Sequence, residues 1–139
     1  MEYRRFNNII ALRLDRDEEI ISSLLTVCEK ENVKAAFFNG IGATDDFTVG
    51  IFSLEKQTYE KFTFKGNHEI TALTGNVSFV DNKPYIHAHI VCSGENAKTV
   101  GGHLLKGIIS LTGEIFITVA DGEIGRKYDG ELKINRFDF

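Results

Sequence analysis

A helical hydrophobic period occurs in only one segment of this 139-residue chain, Asp15–Asn32. Apolar residues recur there every three or four positions and form one stripe, which predicts a helix lying on one face of a sheet. The other apolar segments are short, and turn residues separate them, as is typical of strands. One helix and about eight strands predict an α+β fold, in which one helix packs on a curved, mainly antiparallel β-sheet.

Local motifs predict where these elements begin, bend and end. Asp15 and Glu18 predict a capping box at the start of the helix. Gly40 and Gly42 bracket one residue after a buried strand, which indicates a tight bend or a bulge. Three further pairs of residues predict turns between strands: Asp45–Asp46, Gly66–Asn67 and Thr112–Gly113.

The composition is that of one globular domain, which we expect to span residues 1–139. A hydrophobic content of 42% and a charged content of 26% are ordinary for such a domain. The net charge of −4 argues against sequence-independent binding to nucleic acid. Neither a signal-peptide pattern nor an apolar run of ~18 residues occurs. We therefore expect a cytoplasmic protein without a membrane partner, with both cysteines buried and reduced.

Three of the four histidines fall within Pro84–Leu104. His87 and His89 lie two positions apart in a predicted strand, so their side chains share a face, with Cα atoms roughly 6.6 Å apart. His103 follows a turn-forming loop and a Gly-Gly pair that allows close backbone approach. Three imidazoles with one open position form the ligand set of a catalytic zinc site. His87, His89 and His103 are therefore the predicted metal ligands.

Other interpretations of these residues, and other metal ions, are also open. Zinc is the default ion, but copper, nickel and iron also accept imidazole. Each histidine, taken alone, is also typical of a hydrogen-bonded residue in a half-buried surface. Glu114 is a candidate general acid or base, or a further ligand, and equally a solvated carboxylate at a strand end. His68 stands apart from the other three and is predicted to lie at the surface.

Five motifs, taken in order, resemble the plants-and-prokaryotes-conserved (PPC) domain family. The most specific of them is H-A-H followed by G-G-H-L, and the resemblance covers nearly the whole chain. The five are G-x-G at Gly40–Gly42, L-T-G-N-V-S at Leu73–Ser78, H-A-H at His87–His89, G-G-H-L at Gly101–Leu104 and T-G-E-I at Thr112–Ile115. The resemblance implies an antiparallel sheet with one packed helix, and a homotrimer.

The resemblance also bears on nucleic-acid binding. In plant members of the family, the domain follows an AT-hook that binds the DNA minor groove. Prokaryotic members are often labelled DNA-binding because they are related to these plant proteins. The Arg-Gly-Arg-Pro core of an AT-hook does not occur in this sequence. We therefore expect the stand-alone prokaryotic type.

Two other protein families bear on whether these histidines bind a metal. The broad fold resembles that of acetolactate decarboxylase, whose zinc is held by three histidines, and this supports the metal site without transferring a substrate. A cupin-type ligand set would combine His87 and His89 with Glu95. The spacing to Glu95 is long for that motif, and no Gly-Pro-Gly turn with a following histidine occurs downstream.

Three functions are compatible with these features. The first is a metal-dependent enzyme acting on a small polar substrate, and the second is a sensor that binds such a molecule without turnover. The third is a binding module for DNA or a protein partner, with any metal in a structural role. The sequence does not decide whether the protein is an enzyme.

Overall fold

Eight strands in one sheet and a single α-helix make up the computed structural model, which describes residues 1–139. All strand pairs are antiparallel except one parallel bridge between the fourth and seventh strands. The predicted fold class is confirmed. The elements are β1 Glu2–Phe6, β2 Ile9–Leu14, α1 Ile20–Lys30, β3 Ala36–Ser53, β4 Thr58–Val80, β5 Lys83–Ser93, a 3₁₀ turn Glu95–Ala97, β6 Thr99–Val119, β7 Gly125–Asp129 and β8 Ile134–Asp138.

Four central strands close into a ring. β3 and β5 each pair with both β4 and β6. The β1–β2 hairpin extends the sheet from β6, and the β7–β8 hairpin lies beside the end of β4. One face of the sheet packs with α1 around a core that includes Leu24, Phe38, Phe47 and Ile90, all fully buried. No helix has the length and apolar character needed to cross a membrane.

The helix is shorter than its periodicity predicted, because it begins at Ile20 and not at Asp15. Asp17 has a φ of +69°, which a right-handed helix excludes, and its N–H donates to the carbonyl of Ile109 in β6. Glu19 caps the helix, since its carboxylate accepts a 2.7 Å hydrogen bond from the N–H three residues later. Glu18 accepts a 2.8 Å hydrogen bond from the N–H of Asp15, as in the predicted capping box, but this contact lies in the turn before α1 and does not start the helix.

The three predicted turns all lie inside long strands. β3 runs through Asp45–Asp46, β4 through Gly66–Asn67 and β6 through Thr112–Gly113. Strand register shifts at several such points, including the predicted bulge between Gly40 and Gly42. A bulge bends a strand without ending it, so polar and glycine-containing pairs can occur in mid-strand.

Both cysteines lie in the core. Cys28 on α1 and Cys92 on β5 are fully buried and unpaired. Burial raises the pKa of each thiol to about 12. Such thiols stay protonated and unreactive at neutral pH, so both residues serve packing.

Candidate metal centre

β5 and β6 bring three histidines together on the sheet face opposite the core. His87 and His89 alternate along β5 with the buried Ala88 and Ile90, so their rings point away from the core. His103 of β6 is the direct cross-strand partner of His89. The structure therefore brings all three predicted ligands together, while metal binding itself stays a prediction.

The three rings are close enough to share one ion. Ring centroids are 5.3 Å apart for His87 and His89, 5.0 Å for His87 and His103, and 5.4 Å for His89 and His103. One nitrogen of each ring lies within 4.8 Å of the others. Bonds of ~2.1 Å in a tetrahedral zinc site separate ligand nitrogens by about 3.4 Å, so modest side-chain rotations complete the coordination.

Two glycines create this geometry. A Cβ at Gly101 would lie 2.5 Å from the carbonyl oxygen of Ile90, so only glycine lets β6 run this close to β5. Gly50 of β3 is the cross-strand partner of His103, and a Cβ there would lie 2.7 Å from the ring of Tyr59. The space over Gly50 is therefore occupied by the Tyr59 ring, which stacks on His103.

The surroundings favour the neutral imidazole, which is the form that binds a metal. Burial, followed by the nearby His103, Arg126 and His89, lowers the pKa of His87 to about 4. Burial, followed by His89 and Arg126, lowers the pKa of His103. Nδ1 of His103 is also buried without a hydrogen-bond partner, which costs free energy. A divalent transition metal fits this donor set, because it takes lone pairs from neutral nitrogens.

Arg126 of β7 is a functional candidate that the sequence analysis missed. Its Nε donates to Oγ of Ser78 at 2.7 Å, and its Nη2 donates to Oδ1 of Asn76 at 2.8 Å. Asn76 is the cross-strand partner of His87, so the guanidinium lies beside the histidines. In the sequence, Arg126 stands in a polar segment that contains Gly122 and Gly125. Only the packing of β7 beside β4 shows which residues surround it.

The structure does not bring Glu114 to the histidines within one chain. Glu114 is exposed on β6, opposite Arg13 of β2 and Ile41 of β3. It lies eleven strand steps from His103 along β6, or roughly 36 Å if that strand were fully extended. It lines a different cleft, of about 370 Å³, together with Arg4. Glu114 therefore lies outside the histidine site of its own chain.

Comparisons with known proteins agree with the fold and with the motifs. Residues 1–121 match the family model of the Plants and Prokaryotes Conserved (PCC) domain. A Bacteroides thetaiotaomicron protein, provisionally described as DNA-binding, has 30% identity and a TM-score of 0.96, over 99% of this chain and 96% of that one. No protein of curated function has a significant match to this chain.

Two archaeal structures are also similar. A metal-containing protein from Archaeoglobus fulgidus has 28% identity and a TM-score of 0.89, over 99% of this chain and 97% of that one. A plant- and prokaryote-conserved protein from Pyrococcus horikoshii has 28% identity and a TM-score of 0.87, over 99% and 94% of the two chains. The match of residues 1–121, together with these structures, shows that the chain belongs to the Plants and Prokaryotes Conserved domain family, the PPC family of the sequence analysis.

Proposed function

We propose that this protein binds a divalent transition metal ion, zinc by default, through His87, His89 and His103, and that the site binds a small polar metabolite. The observation that carries the proposal is the convergence of three ring nitrogens within 4.8 Å. The similarity to a metal-containing archaeal protein supports it. A bound zinc ion would supply Lewis acidity and a water of lowered pKa.

The chain's own residues prepare the site for this role. Burial lowers the pKa of His87 to about 4 and also lowers the pKa of His103, which favours the neutral rings that bind an ion. Tyr59 covers one face of the His103 ring and fixes its plane. The two strands that carry the histidines are held by a continuous ladder from His89–His103 to Ser93–Thr99. These contacts reduce the rearrangement needed on binding.

Metal analysis of protein purified without a nickel column tests the proposal. We expect about one equivalent of a transition metal per chain, because three neutral ligands bind one ion. Changing His89→Ala together with His103→Ala should lower the content to about a tenth of an equivalent or less, because a single imidazole holds an ion weakly.

His68→Ala is the matched control. His68 is the fourth histidine, but its Nδ1 is 2.7 Å from the carbonyl oxygen of Gly66 and its ring packs on Phe47, in a cluster apart from the other three. This variant should keep its metal. A wild-type protein without metal, or a double variant with undiminished metal, contradicts the proposal.

A metabolite screen by thermal shift, with and without chelator, separates an enzyme from a sensor. A compound that raises the midpoint only in the metal-loaded protein identifies a ligand of the site. Formation of a product from that compound indicates an enzyme. Stabilisation without a product indicates a sensor.

DNA binding is the second candidate function, because the similar B. thetaiotaomicron protein is provisionally described as DNA-binding. The net charge of −4 gives this chain little general attraction to phosphates. Fluorescence anisotropy with duplex DNA at two salt concentrations tests this function. Binding that weakens steeply with salt supports it, and no binding at low salt contradicts it.

We also propose a homotrimer. Phe37 and Ile41 of β3 are 59% and 60% exposed, and Leu111 and Phe116 of β6 are 71% and 55% exposed. Phe116 is the cross-strand partner of Asn39, midway between Phe37 and Ile41, and Leu111 lines the same cleft as Ile41. These four side chains form one surface, here called the β3–β6 apolar face. Contiguous exposed apolar surface of this kind marks interaction sites, and further copies of the chain would cover it.

A further inference from the structure

Arg126 is a half-buried cation without a counter-ion. Its guanidinium has no carboxylate within 4.0 Å, whereas four other arginines, Arg5, Arg13, Arg16 and Arg136, each pair with at least one. Burial lowers the pKa of the Arg126 guanidinium, as expected for a charge removed from water. Partial removal of a charge from water without a counter-ion costs free energy, so this position favours the binding of an anion.

Neutral groups hold the guanidinium and leave part of it free. Nε donates to Ser78 Oγ, Nη2 to Asn76 Oδ1, and Nη1 to the carbonyl of Asn135 at 3.0 Å. A guanidinium has five N–H groups, so one N–H on each terminal nitrogen stays available. Two such donors on one planar group match the two oxygens of a carboxylate or a phosphate.

Aromatic rings fix the orientation of this group. The guanidinium carbon lies 4.7 Å from the ring centroid of Tyr85 on β5 and 4.9 Å from that of Phe137 on β8. Contacts of this kind stabilise a cation and restrict the long side chain. Little side-chain freedom is then left to lose when a ligand binds.

The guanidinium lies over the same sheet face as the histidines. Its two acceptors on β4, Asn76 and Ser78, are the cross-strand partners of His87 and Tyr85 on β5. Tyr85, on which the guanidinium packs, stands two residues before His87 on the same face of β5. One small ligand can therefore contact the guanidinium and the histidine site together.

We propose that Arg126 is the anion-recognition residue of the histidine site, and that the ligand of this site is a small oxyanion, a carboxylate or a phosphate. This inference rests on the proposed function, since the metal held by the three histidines would provide the second contact of the ligand. It narrows the ligand from polar metabolites in general to anionic ones. The cation comes from the β7–β8 hairpin, which thereby forms part of the site.

Titrations of metal-free, chelator-treated protein followed by ¹H–¹⁵N NMR test this assignment separately from metal binding. The probes are acetate, its neutral isostere acetamide, and inorganic phosphate, at constant ionic strength. The variants are Arg126→Gln, Arg126→Lys and the control Lys127→Gln. The control removes one positive charge from the next residue of the same strand, whose side chain is 65% exposed.

We expect the wild-type protein to bind acetate or phosphate, and acetamide about tenfold more weakly, because a charge-assisted hydrogen bond is lost with the neutral probe. Arg126→Gln should weaken anion binding about tenfold or more, Arg126→Lys less, and Lys127→Gln not at all. The tighter of the two anions identifies the ligand class. A purely structural Arg126 would not distinguish acetate from acetamide.

Equal affinities of the wild-type protein for acetate and acetamide overturn the proposal, and so does unchanged anion binding by Arg126→Gln. If the NMR spectrum of Arg126→Gln shows that this variant is unfolded, the wild-type comparison of acetate with acetamide decides whether the proposal holds. The metal content of folded Arg126→Gln should equal that of the wild-type protein. A wild-type protein that binds no metal contradicts the proposed function, while the metal-free titration still decides the role of Arg126.

Discussion

Tyr59 stacks on His103, with the two ring centroids 4.8 Å apart and the ring planes inclined by 28°. Tyr59 comes from the start of β4, and its ring crosses Gly50 of β3 to reach the histidine. The contact fixes the plane of one proposed ligand before any ion binds. Residues that orient a ligand in this way tune metal affinity without touching the metal.

Gly50→Ala is expected to weaken metal binding about tenfold, because its Cβ would displace the Tyr59 ring and release His103. It should also lower the free energy of unfolding by about 1–3 kcal/mol through overpacking. Competition with a chromophoric chelator measures the first effect, and urea unfolding measures the second. Gly130→Ala is the control, because a Cβ there has no atom within 4 Å and φ is not positive. Equal metal affinity of the Gly50→Ala and wild-type proteins would contradict this role of Tyr59.

The stability of the metal-free protein should fall as the pH is lowered from about 6.5 to about 4. His87 has an ordinary pKa of 6.5 in the unfolded chain and a pKa of about 4 in the folded one. The unfolded state therefore binds the proton first, so stability is complete above pH 6.5 and decreases towards pH 4. Thermal unfolding across this range measures the slope. His87→Gln should flatten it, and an unchanged slope in that variant would show that His87 is not its source.

Asp46→Asn is expected to destabilise the protein by roughly 1 kcal/mol. The Asp46 carboxylate lies 2.8 Å from Nζ of Lys65 and 3.0 Å from Nζ of Lys106, and so links β3 to both neighbouring strands. Hydrogen bonds from both lysines lower the pKa of Asp46 below its usual 3.8, so this stabilisation is present above that pH and is lost as the pH falls further. Urea unfolding at pH 7 measures the loss. Asp45→Asn, which breaks no ion pair, should unfold like the wild-type protein.

Phe116→Glu should convert the proposed trimer into monomers. A charge in the centre of the β3–β6 apolar face would be buried without a partner in the assembled form. Light scattering coupled to size-exclusion chromatography measures the mass. Leu54→Glu, in the turn between β3 and β4 and 80% exposed, is the control and should leave the mass unchanged. A wild-type protein that elutes as a monomer would refute the trimer.

Local sequence patterns predicted one helix and about eight strands, but not where each of them begins and ends. Short apolar segments separated by turn residues indicated the strands. Polar and glycine residues, which are typical of turns, led to predicted turns at Asp45–Asp46 and Thr112–Gly113. In the structure, β3 and β6 continue without a break through these positions, because neighbouring strands supply hydrogen bonds on both sides. Local propensity alone contains no information about those partners.

The sequence by itself determined the α+β class and the three histidines as a candidate ligand set. Two of these histidines share a face through strand geometry alone, and a hairpin returns the third. Only the tertiary structure decided that Arg126 lies beside them and that Glu114 does not. The reason is that both placements depend on which distant strands pair: β7 lies beside β4, and β6 extends from β5 to β2 and carries Glu114 away from the site. Such pairings are fixed by the packing of the whole sheet, which no short segment encodes.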